Sequence, residues 1–68
     1  MTITLKQIDG THDYHLIYKN RLLAVALLTV GEYSLHFFPN MRGYSVEELE
    51  KCVEGFKQII NERERRVK

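Results

Sequence analysis

Apolar and polar side chains alternate along the first half of the chain, then recur at every third or fourth position from Val46 onward. The first rhythm belongs to strands and the second to a helix. Four strands are predicted at about 2–8, 12–18, 21–29 and 33–38, followed by one helix at about 45–66.

The turns between the strands suggest a register. Asp9-Gly10 marks a tight hairpin, because glycine accepts the positive φ that suits the twist of the flanking strands. A two-residue turn there sets Leu5 opposite Tyr14, Ile3 opposite Leu16 and Lys6 opposite Asp13. A second turn at Lys19-Asn20 brings Leu23 beside Leu16 and Val25 beside Tyr14. A three-residue loop, Val30-Gly31-Glu32, then sets Leu27 against Leu35 and Val25 against Phe37. A two-residue loop would bring His36 and Phe38 to that face instead, so the longer loop is expected. The inner face so defined is Ile3, Leu5, Tyr14, Leu16, Leu23, Val25, Leu27, Leu35 and Phe37.

The helix has an apolar stripe of Val46, Leu49, Val53, Phe56 and Ile60, widened by Cys52 and Ile59. Ser45 and Glu48 form a capping box at its start, with Tyr44 and Leu49 spaced as a hydrophobic staple. Glu47, Glu48 and Glu50 near the start, and the arginines near the end, complement the helix dipole. Gly55 costs about 1 kcal/mol against alanine in a helix, which points to close packing on the sheet. Pro39 ends the fourth strand, and the whole is an α+β fold: a four-stranded antiparallel meander sheet with one C-terminal helix on one face, ββββα, in a single domain over residues 1–68.

Strand three breaks the alternation. Leu22, Ala24, Ala26 and Leu28 are apolar on the outer face too, where Ile17 and Phe38 flank them and His15 and His36 stand at the edge. One helix covers one side of a sheet, so this face is expected to be a contact surface that forms a homodimer and binds another protein. Two other arrangements would remove the patch: the helix or its tail wraps over it, or the register of the strand is off by one.

With 68 residues there is room for one small domain and none for a cleft between domains. The hydrophobic share of 44% and charged share of 28% are those of a folded chain. Ten Lys and Arg against nine Asp and Glu leave a net charge of +1, too even for whole-surface attraction to nucleic acid or membrane. The lone Cys52 excludes an internal disulfide and a cysteine-based zinc site, which suits a cytoplasmic protein. The N-terminus lacks the charged and apolar regions of a secretion signal, and the nine residues Leu22 to Val30 are too few to span a bilayer as a helix.

Candidate chemistry is sparse. His12 and His15 lie three apart and point to opposite faces of a strand, while His15 and His36 share a face with strand three between them. Cys52 falls on the apolar side of the helix, where a small core side chain is expected. Asp13 and His36 have no sequence-defined pocket around them, and the scattered glycines form no phosphate-cradling loop. No catalytic, cofactor-binding or metal-binding residue is assigned, and an enzyme or ligand-binding protein ranks behind the other readings. Nucleic-acid binding is the alternative of a different class. The C-terminal Arg63, Arg65, Arg66 and Lys68 outnumber Glu64, although the open sheet face lacks the interleaved aromatic and basic residues of an RNA-reading sheet. In size the chain is similar to small accessory proteins encoded by phages and prophages, a likeness that no motif carries.

Overall fold

A computed structural model of the chain describes residues 2–37 and 43–67. Strands β1 (Thr4–Gln7), β2 (Tyr14–Tyr18), β3 (Arg21–Thr29) and β4 (Glu32–Phe37) form one antiparallel sheet in the order β1-β2-β3-β4. Helix α1 (Val46–Val67) packs mainly across β2 and β3. The ββββα arrangement is the expected one, and Phe38 and Lys68, each assigned a contact role from the sequence, lie outside the described residues.

The hairpin registers differ from expectation in three instructive ways. In the first hairpin Asp9-Gly10 does turn the chain, with Gly10 at φ 76° and Thr11 N–H donating to Ile8 C=O at 3.1 Å. The loop, however, closes on Ile8 two residues further along, at Ile8 N–H to Asp13 C=O (2.8 Å), because Thr11 caps it: its hydroxyl donates to Ile8 C=O and accepts from Asp13 N–H. Leu5 therefore faces Leu16 rather than Tyr14, a slip of two residues that keeps every side chain on its expected side.

The β2–β3 turn is Lys19-Asn20 as expected, both residues left-handed at φ 53° and 61°, the pair of positive angles a two-residue hairpin favours. Beyond it the register shifts. Ile17 pairs with Leu22 but Leu16 pairs with Ala24, so Leu23 is the extra residue of a β-bulge. Its carbonyl, withdrawn from the regular ladder, accepts the Tyr44 hydroxyl. From this point every side chain of β3 faces opposite to the sequence reading.

The third turn absorbs the same shift. It is a two-residue turn, Val30-Gly31, with φ 46° and 82°, and it pairs Ala26 with Leu35 and Ala24 with Phe37. The expected three-residue loop would have placed Leu35 and Phe37 beside Leu27 and Val25; once the bulge turns the alanines inward, the shorter loop keeps Leu35 and Phe37 on the helix side. A β-branched residue is disfavoured in the left-handed region, and Val30 sits there fully exposed.

The core consists of Ile3, Leu16, Tyr18, Leu23, Ala24, Ala26, Cys52 and Ile59, with Leu5, Tyr14, Tyr33, Leu35, Tyr44 and Phe56 packed around it. Ala24 and Ala26 are completely buried under the helix, where their small side chains let it approach the middle of the sheet. Val25 and Leu27, expected inside, face outward.

Candidate interaction surface

Because the bulge reverses β3, the outer face is not the one the sequence suggested. Ala24, Ala26 and Leu28 lie on the helix side: the two alanines are core, and Leu28 lines a shallow hollow with His12, Tyr14, Tyr33, Ile59 and Arg63. Their assignment to an exposed interface is corrected; the physical reason is the single extra residue at Leu23. Ile17, Leu22, His15 and His36 do face outward, now joined by Val25 and Leu27. Lys6, His15, Val25 and His36 stand side by side across the four strands, and Leu27 is paired with Ser34. The result is a narrow band of half-buried aliphatic side chains with a rim of polar groups, on which Ser34 Oγ and His36 Nε2 lie 2.7 Å apart.

A second apolar surface lies on the helix, and sequence reasoning missed it. The residues that meet the sheet are Cys52, Gly55 and Ile59, while Val46 is 71% exposed, Leu49 42% and Val53 47%. Phe56 and Ile60 lie half-buried between the two sets. Helical spacing had placed all of these on one stripe; that stripe is wider than the sheet can cover, and the helix is rotated so that its Cys52–Ile59 edge is covered. Phe37, 42% exposed at the end of edge strand β4, packs edge-on against Tyr44, just ahead of the helix, with ring centres 5.2 Å apart.

What fixes the rotation is a set of ties at both ends of α1. Ser45 N–H donates to Glu48 Oε1 (2.9 Å) and Glu48 N–H to Ser45 Oγ (3.1 Å), the reciprocal capping box. Glu48 also meets Arg21 at 3.2 Å, Glu47 accepts the Tyr18 hydroxyl, and Lys19 lies 3.8 Å from Glu47. The helix start is thus held to the β2–β3 turn. Near the other end Arg63 donates to Gly31 C=O at 2.5 Å and lies over the Tyr33 ring, 5.9 Å from its centre.

These ties set an acid and an alkaline limit. The Tyr18 hydrogen bond, then Lys19, holds the Glu47 carboxyl below its ordinary 4.5. The Ser45 backbone N–H, with Arg21, does the same for Glu48. The stability these carboxylates contribute is present above about pH 4.5 and is lost as pH falls through their lowered values. The Tyr18 hydroxyl is pushed above 10.0, first by its bond to Glu47, so its contribution is lost only as pH rises past that raised value. Glu48→Gln is expected to flatten the acid limb of a thermal-stability profile below pH 4.5 while leaving the alkaline limb intact; an unchanged acid limb would refute this role.

The other candidate groups are accounted for as follows. His15 and His36 share the outer face with Val25 between them, and among the described residues no three His, Cys, Asp or Glu side chains are grouped to hold a metal ion. Cys52 is buried in the core, and desolvation pushes its thiol pKa up. Asp13 accepts Leu28 N–H at 2.9 Å, a brace between hairpins. Of the basic C-terminal residues, Arg63 is bound to Gly31 and Arg65 is exposed, and the Arg66 side chain lies outside the described residues. No family model, curated protein or solved structure matches the chain. No helix among the described residues is long and apolar enough to cross a membrane.

Proposed function

We propose that this chain is a small non-enzymatic protein-interaction module that works as a homodimer and binds another protein. The observation that carries the reading is the run of large apolar side chains left in solvent along the helix, Val46, Leu49 and Val53, with Phe37 also exposed against Tyr44, just ahead of the helix. Contiguous apolar patches are uncommon on monomers, and in a chain of 68 residues they stand beside a core too small to be generous with stability. Association with a second copy removes such a patch from water and stabilises the fold at once. The outer sheet face, with its aliphatic band of Ile17, Leu22, Val25 and Leu27 inside a polar rim, has the composition of a surface for a different protein.

Sedimentation equilibrium tests the reading. A mass near twice 8.1 kDa is expected, and a mass that stays at 8.1 kDa at the highest attainable concentration would overturn the homodimer. Val25→Glu is expected to leave that mass unchanged while abolishing retention of the protein partner, since it alters the outer face alone.

A further inference from the structure

The apolar helix stripe, exposed at Val46, Leu49 and Val53 and half-buried at Phe56 and Ile60, has an internal symmetry. Val46 and Ile60 lie seven residues on either side of Val53, with Leu49 four before it and Phe56 three after. Alternating steps of three and four make the seam of a two-helix coiled coil, here about 21 Å long from Val46 to Ile60. A helix turned end for end about Val53 therefore lays the stripe on itself, Val46 on Ile60 and Leu49 beside Phe56.

The charges along the stripe are equally telling. Glu50 and Lys57 are both exposed and lie on the flank of the seam away from the sheet, three residues before and four after Val53. In an antiparallel pair Glu50 of each copy comes beside Lys57 of the other, twice by symmetry. In a parallel pair the Glu50–Lys57 flank of each helix would instead lie against the Cys52–Ile59 flank of the other copy, where the sheet stands in the way, so that orientation is blocked. The other flank, Cys52 and Ile59, is already covered by the chain's own sheet.

We infer that the second copy docks helix to helix, antiparallel, with Val53 on the twofold axis and two Glu50–Lys57 ion pairs bordering the seam. This deepens, and rests on, the homodimer reading above. It makes the interface isologous, the same patch used by both copies, so association closes at two chains. It also leaves the outer sheet faces of both copies open for a different protein.

Charge exchange tests the arrangement without touching the core, because Glu50 and Lys57 are exposed. Glu50→Lys and Lys57→Glu are each expected to weaken the dimer by about tenfold, since each replaces two attractive contacts by two repulsive ones. The double variant carrying both exchanges is expected to return to within about twofold of the parent, and circular dichroism should find all three as helical as the parent. A Val53→Cys variant should in addition form an intermolecular disulfide on mild oxidation, as residues on the axis face one another. Single exchanges that weaken the dimer without rescue by the double overturn the antiparallel register. A dimer indifferent to every exchange lies elsewhere, which overturns this inference and leaves the proposed function standing. A monomeric parent overturns both.

Discussion

Ala26→Glu is expected to unfold the protein. Ala26 is completely buried between β2, β4 and the helix, paired with Tyr14 on one side and Leu35 on the other. A glutamate there needs volume the packed core lacks, and its carboxyl loses water without gaining a partner. The two effects together cost at least about 3 kcal/mol. A core of this size rarely supplies more than about 3–5 kcal/mol in total, so little or no folded population should remain. Val25→Glu, one residue away, is the control. Val25 faces outward beside His15 and His36, and the substitution should cost only about 1 kcal/mol, or roughly 4–8 °C in melting temperature. Thermal melts by circular dichroism compare the two directly. If Ala26→Glu melts near the parent and Val25→Glu does not fold, the bulge at Leu23 is misplaced and β3 faces the other way.

Gly55→Leu should be the next most damaging change. A β-carbon at Gly55 would stand 3.0 Å from Ile3 Cγ2 and 3.0 Å from Leu5 Cδ2, closer than packed carbon atoms normally come. Leucine is a good helix former, so the helix itself gains; what suffers is the seat of the helix on β1, where Ile3 is buried and stiff at its branched carbon. The added side chain must lift the helix from β1 or displace Ile3, at about 2–3 kcal/mol net. Gly55→Ala separates the two contributions. It gains about 1 kcal/mol of helix propensity and crowds only the near methyl groups of Ile3 and Leu5, so its stability should stay within about 1 kcal/mol of the parent. Denaturant titration of both variants checks this. A Gly55→Leu protein as stable as the alanine variant would mean that the helix does not rest on β1 at that point.

Lifting the helix would also turn it, and the rotation of the helix decides which apolar residues reach solvent. Gly55 is the only position on the sheet-facing side with no side chain, so the closest approach falls there and the line Cys52–Gly55–Ile59 becomes the buried one. Helical periodicity detects the apolar stripe but averages over about 100° of arc, and a stripe broader than its seat can be buried along either edge. That is why Leu49 and Val53 read as core from spacing and stand in solvent in the fold.

The sequence alone determined the order ββββα, the Lys19-Asn20 turn, the capping box of Ser45 and Glu48, and the place of Ile3, Leu16 and Leu23 in the core, because each rests on neighbours within a few residues or on an alternation with one polar side. Tertiary structure alone decided which side of β3 after Leu23 faces the helix. That strand is apolar on both sides, so its pattern carries no sign, and one bulged residue, with its carbonyl taken up by Tyr44, 21 residues further on, was enough to send the alanines inward and Val25 and Leu27 out.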